Sequence, residues 1–129
     1  MPYTVCRLQG GAVAVERFEQ LDVWQVAHSF VLGVYKSTLH LPADEKYGLV
    51  SQMRRASVSI PANIAERFKR RGQQDKAHFY NMSEASLEEL RYYFILCRDL
   101  GYKIEFQEMA KQADQISRML HGLIKAVKG

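Results

Sequence analysis

Residues 49–66 read Leu49-Val50-Ser51-Gln52-Met53-Arg54-Arg55-Ala56-Ser57-Val58-Ser59-Ile60-Pro61-Ala62-Asn63-Ile64-Ala65-Glu66. Leu49, Met53, Ala56, Ile60 and Ile64, with Phe68 just beyond, recur at steps of four and three. That spacing lines one face of an α-helix. Pro61 lies inside the pattern, where it removes one backbone donor and crowds the preceding turn, so a kink or brief interruption is expected there. The hydroxyls of Ser57 and Ser59 are placed to satisfy the carbonyls that Pro61 frees. Lys69-Arg70-Arg71-Gly72 then closes the helix, with cations at its negative end and a glycine beyond.

The neighbouring segments have the same period. From about Phe18, Leu21, Trp24, His28, Val31 and Tyr35 form one stripe, and Val23, Val26, Phe30 and Val34 run beside it until Leu41-Pro42. A helix with two apolar stripes needs cover on more than one side, so self-association is expected. Ala43-Asp44 is read as the opening of the second helix, with Asp44 or Glu45 at its positive end. A third helix, from about residue 74 to 100, places Phe79, Ser83, Ser86, Leu90, Tyr93 and Cys97 on one stripe, widened by Leu87 and Phe94, and Gly101 terminates it. The fourth, from about residue 105 to 125, shows Met109, Ala113, Ile116, Leu120, Leu123 and Val127 in unbroken alternation of four and three. Short connections force sequential helices to run back along each other, which predicts an all-α, antiparallel, up-down-up-down four-helix bundle over residues 17–129. Residues 1–16 lack sustained periodicity and carry Gly10-Gly11, so they are expected to form an irregular arm.

A chain of 129 residues suits one core, and 47% hydrophobic with 25% charged residues is a globular mixture rather than a disordered one. Cys6 and Cys97 have no paired spacing that suggests a disulfide framework or a zinc site, so both are read as reduced thiols in a cytoplasmic protein. Gly11-Ala12-Val13-Ala14-Val15 is too short for a signal-peptide core, and no apolar run approaches the ~20 residues of a membrane span. The net charge of +4 is local. Residues 54–76 hold seven basic side chains against two acidic ones, +5, while the remainder holds eleven against twelve, −1. Concentration of this kind marks a binding face rather than a general solubility charge.

The stretch quoted first closely resembles the signature of the four-helix bundle proteins encoded within intervening sequences of 23S ribosomal RNA genes. Leu21-Asp22-Val23-Trp24-Gln25-Val26-Ala27, Glu45-Lys46-Tyr47-Gly48-Leu49, Ser86-Leu87-Glu88-Glu89-Leu90 and Leu100-Gly101-Tyr102 are similar to the same family, so the resemblance runs from about Phe18 onward. It implies a homo-oligomer, a pentamer in particular, with no established catalytic activity, and no cofactor is expected. A related branch, the accessory proteins of diversity-generating retroelements, pairs with a reverse transcriptase and binds nucleic acid, which makes RNA or DNA, a reverse transcriptase or another protein the further partners to expect. Where the family commonly has Glu-Gly and a glycine-containing turn, this chain has Glu66-Arg67-Phe68-Lys69-Arg70-Arg71, more basic and less flexible.

Two groups of residues stand out as candidates. Asn63, Arg67 and Arg70 share a helix face that Lys69 and Arg71 extend, a row suited to successive phosphates. The competing reading is a solvated face whose cations stabilise the helix end, with the arginines serving assembly or gripping an acidic protein partner. Arg54 and Arg55, deep in an apolar helix, are costly unless paired, so ion pairs with Glu66, Glu88 or Glu89 are expected, within the chain or across subunits. Nothing points to catalysis or a metal. A di-iron bundle needs two Glu-x-x-His motifs, and only Asp75-x-x-His78 is present, with Glu84 and Glu88 a spacing common on solvated helices. His28 is expected as a hydrogen-bonded core residue, and Trp24 and the tyrosines as core or interface anchors.

Overall fold

A computed structural model describes residues 15–69 and 72–128. The expected arm therefore lies, up to residue 14, outside the described residues, as do Cys6, Arg70 and Arg71. A 3₁₀ turn, Phe18–Gln20, leads into α1 (Asp22–Thr38), and a second, Ala43–Glu45, precedes α2 (Leu49–Phe68). The chain continues through α3 (Gln73–Asp99) and α4 (Phe106–Lys128), so the fold is an all-helical bundle of four helices.

Cross-helix contacts fix the directions. Met53 meets Cys97, Ser59 meets Ser86, Ile60 meets Ser83 and Arg67 meets Tyr80, so residue numbers fall on α3 as they rise on α2. Arg91 with Asp114 and Glu84 with His121 give the same opposed order for α3 and α4. The second turn of α2 touches the last turn of α1 through Arg54 and Tyr35, and α2 also packs on the Phe18–Gln20 turn, so it runs back along α1. α4 closes the ring against α1.

The second helix opens later than its sequence suggests. Ala43–Glu45 forms only a 3₁₀ turn, and α2 begins at Leu49 after Gly48. Glu45 nevertheless serves the positive end of α2 from outside, its Oε1 accepting from the Leu49 N–H at 3.3 Å, while its Oε2 accepts from the Tyr102 hydroxyl at 2.6 Å. A Cβ on Gly48 would lie 2.9 Å from Glu45 Oε1, so a side chain there would push this carboxylate off its present position.

α2 passes through Pro61 without interruption. The expected roles of the two serines are corrected. Ser57 donates to the Arg54 carbonyl at 2.9 Å, and Ser59 pairs with Ser86 across the α2–α3 seam at 2.8 Å. A third hydroxyl, Ser83, donates to the Ile60 carbonyl next to the proline at 2.9 Å. Ser57 and Ser83 are fully buried, so these small side chains let two backbones approach closely where larger ones would separate them.

The core joins Phe30, Met53, Ile60, Ile64, Tyr80, Leu87, Leu90, Phe94, Ile116 and Leu120. Each fully buried aliphatic or aromatic side chain here contributes roughly 1.5–3 kcal/mol of hydrophobic stabilisation. Two stripes are rotated from their expected register. On α3, Tyr80 is in the core where Phe79 was expected, with Ser86 and Tyr93 only half-buried. On α1, Val23, Ala27, Phe30 and Val34 face inward, and the Trp24, His28 and Tyr35 stripe lies toward the outside. His28 is therefore not a core histidine: it is exposed and stacked on Trp24, ring centroids 5.0 Å apart.

Gly101 ends α3 with φ of 81°, the Tyr102 N–H donating to the Cys97 carbonyl and the Gly101 N–H to that of Arg98. This is a Schellman closure, which needs the left-handed conformation that glycine adopts without strain. Gly101→Ala is expected to destabilise the protein by about 1 kcal/mol. The check is the urea midpoint at unchanged m-value, and an unshifted midpoint would refute it.

Candidate nucleic-acid and assembly surfaces

The expected phosphate-binding row does not stand free on α2. The Asn63 side-chain amide donates to the Ser59 carbonyl at 2.8 Å and to its hydroxyl at 3.0 Å, so it belongs to the polar seam with Ser86. Arg67 turns inward over the Tyr80 ring, its guanidinium carbon 5.0 Å from the centroid. Its Nε is buried and makes no hydrogen bond. Burial pushes the Tyr80 phenol up, and the adjacent guanidinium partly offsets that rise. Arg67 is thus a cation–π partner of the core edge. Lys69 is exposed and caps the end of α2; Arg70 and Arg71 lie outside the described residues.

Within the chain, Arg54 is held by α1 rather than by one of the expected carboxylates. Arg54 Nε donates to the Thr38 hydroxyl at 2.9 Å and its Nη2 to the Tyr35 carbonyl at 3.3 Å, with the guanidinium 4.5 Å over the Tyr35 ring. Thr38, itself buried, passes its own proton to the Val34 carbonyl at 2.8 Å. Arg54 is therefore a cation on the negative end of α1 rather than a partner of a carboxylate. Adjacent residues on a helix are about 100° apart, so Arg55 points elsewhere, exposed on the outer side of α2. The Tyr93 phenol is held above its usual range chiefly by its hydrogen bond to Glu89, a rise that Arg55 partly offsets.

Glu88 and Glu89 serve α3 itself. Glu88 lies 3.7 Å from Arg91, and Glu89 accepts from the Tyr93 hydroxyl at 2.5 Å. Glu66 is exposed on the outer side of α2. Between α3 and α4, Arg91 pairs with Asp114, and Glu84 with His121 at 3.4 Å. Arg91 and Asp114 lie 23 apart in sequence, and no local spacing identifies them.

A groove of about 850 Å³ opens between α1 and α4, where Gly33 faces Met109 and Gln112. Lys36 and His40 line it at the end of α1, and Glu105 and Glu108 at the start of α4. Lys36 complements the negative end of α1, and Glu105 and Glu108 the positive end of α4, which accounts for these charges without a ligand. Cys97 is buried beside Met53, and burial pushes its thiol up to about 11, far from a reactive thiolate. Among the described residues no three His, Cys, Asp or Glu side chains converge on a metal position, and no helix is long and apolar enough to cross a membrane.

What remains conspicuous is apolar surface. Leu32, Tyr35 and Leu39 on α1, Val58 on α2, and Tyr92 and Ile95 on α3 are exposed, Leu39 by 72%. Scattered apolar residues are ordinary on a surface, but rows at helical spacing are not.

A family model described as 23S rRNA-intervening sequence protein matches residues 19–122. Among solved structures, a protein of unknown function from the S23 ribosomal protein family of Bacteroides thetaiotaomicron is similar in fold, with a TM-score of 0.71 and 21% identity over 80% of this chain and 95% of that one. No curated protein matches the sequence.

Proposed function

The chain belongs to the 23S rRNA-intervening sequence protein family, and from that premise we propose that it is a non-enzymatic assembly module of the cytoplasm, a helical bundle that associates with copies of itself. The observation that carries this reading is the outer row of α1, where Leu32, Tyr35 and Leu39 are exposed although their spacing is that of a packing face. The pentamer implied by the family resemblance is the subunit number expected. Light scattering on the eluting protein tests it, and a monomeric mass at every concentration would end it.

Nucleic-acid binding is a second reading, favoured by the +5 charge of residues 54–76. With Asn63 and Arg67 engaged internally, its carriers are Lys69, Arg70 and Arg71. Reversing Arg70 and Arg71 to Glu is expected to reduce RNA or DNA affinity at low salt at least tenfold and to flatten the salt dependence, because each neutralised phosphate contributes about −0.9 to the log–log slope for duplex DNA. Equal binding by the reversed variant, or no binding by the parent at low salt, would leave only the assembly role. In that case the same cations suit an acidic protein partner.

A further inference from the structure

Positive charge is not confined to α2 and its end. Residues 115–129 carry Arg118, Lys125 and Lys128 and no carboxylate, +3, while residues 69–76 carry four basic side chains against Asp75, also +3. These two segments together hold +6, and the rest of the chain, eleven basic against thirteen acidic residues, is −2. They are far apart in sequence, one spanning the turn between α2 and α3 and the other the second half of α4.

The fold brings both to the same end of the bundle. α4 runs against α3, and Glu84 faces His121 at 3.4 Å, so the last turns of α4 lie beside the first turns of α3. Lys125 follows His121 by about one helical turn toward that end. Lys69 closes α2 there, and Lys76 belongs to the first turn of α3. Lys69, Arg118 and Lys125 are exposed and Lys76 is half-buried. None of the four is paired with a carboxylate among the described residues. Against them stand Glu66 and Asp75, exposed on α2 and α3, and Glu84, which faces His121.

Helix ends account for only part of this arrangement. Lys69 and Lys125 suit the negative ends of their helices, but that effect fades within one turn. Arg118 lies more than two turns before the end of α4 and gains nothing from it.

α2 and α4 pack on opposite sides of α3. Neighbouring helix axes lie about 8–10 Å apart, so cations on α2 and α4 are separated by roughly 12–14 Å across the diagonal of the bundle. That separation matches the ~12 Å width of the major groove of duplex DNA, which a row of phosphates borders on each side. The corresponding groove of an RNA duplex is narrow. The larger rings at this end are not free to stack single-stranded bases, since Phe68 and Phe79 are half-buried and Tyr80 is buried under Arg67.

Resting on the nucleic-acid reading above, we infer that the phosphate-binding surface is composite, with Arg118 and Lys125 of α4 acting together with Lys69 and Lys76 beside the α2–α3 turn, and that its partner is duplex DNA held by its two phosphate rows. No base is read, so affinity depends on salt and not on sequence.

The test is fluorescence anisotropy of the full chain with a 20-base-pair DNA duplex (~20 base pairs gives about two helical turns), across a salt series. Arg118→Gln combined with Lys125→Gln is expected to weaken binding about tenfold and to make the log–log salt slope shallower by about 1.8, two phosphates at about 0.9 each. Lys46→Gln combined with Lys103→Gln removes the same charge from exposed positions at the opposite end of the bundle and should leave affinity within about twofold. Equal losses in the two double variants would overturn the inference, because binding would then follow net charge rather than a site. An unchanged slope in the α4 variant, with binding still lost on reversal of Arg70 and Arg71, would remove α4 from the surface and leave the nucleic-acid reading intact. Single-stranded DNA or duplex RNA bound as tightly as duplex DNA would overturn the assignment to duplex DNA. A parent chain that binds no nucleic acid at low salt would remove both the inference and the reading beneath it.

Discussion

Ser83→Leu is expected to lower the thermal midpoint by roughly 10 °C, corresponding to about 3 kcal/mol in a domain of this size. The Ser83 side chain is fully buried in the α2–α3 seam and donates to the Ile60 carbonyl at 2.9 Å. A leucine there adds volume where the Ile60 carbonyl already lies within hydrogen-bond distance of α3, and overpacking of this kind costs about 1–3 kcal/mol. Loss of the hydrogen bond adds about 1 kcal/mol. Ser83→Ala separates the two contributions, because it removes the hydroxyl without adding bulk. If Ala and Leu proved equally mild in calorimetry, close approach of the helices would not be what the serine provides.

Arg54→Met should cost about 2 kcal/mol, the range of hydrogen bonds to a charged group reduced for the partial exposure of the side chain. Methionine retains much of the apolar contact with Tyr35 but removes both donors to the end of α1. Arg54→Lys should recover less than half of the loss, since an ammonium cannot reach the Thr38 hydroxyl and the Tyr35 carbonyl with the planar fork that a guanidinium presents. Amide hydrogen exchange at residues 38–41 should accelerate in the same order. A denaturation midpoint within about 0.5 kcal/mol of the parent would show that solvent caps α1 equally well.

The four helices were legible because each carries a long apolar period, and periodicity is set by local geometry. α4 is the clearest case: Met109, Ala113, Ile116 and Leu120 were read as one stripe and all four are buried. Where two stripes compete on one helix, sequence offers no means of choosing. On α1 both looked apolar, and only the positions of α2 and α4 decide that Phe30 and Val34 enter the core while His28 and Tyr35 stay outside. The start of α2 was misplaced by a comparable ambiguity, since Asp44 and Glu45 are good first-turn residues but Gly48 delays the helix, and Glu45 acts on it from the preceding turn.

The candidate sites were less legible than the fold. Charge density singled out the basic stretch, but it could not report that Arg67 lies on Tyr80, 13 positions further on in the chain, or that Asn63 is taken up by Ser59. Arg54 and Arg55 appeared equivalent as neighbours, yet the helix turns one to α1 and the other outward.

By itself the sequence determined the helical class, the number of helices, the family and the local excess of positive charge, all properties of spacing and composition within single segments. Tertiary structure alone decided which stripe of α1 is core, which cations are already engaged, and which apolar side chains of α1 and α3 stay exposed. The physical reason is that burial and pairing belong to residues brought together from distant segments, and their partners are set by how the helices pack rather than by any spacing along the chain.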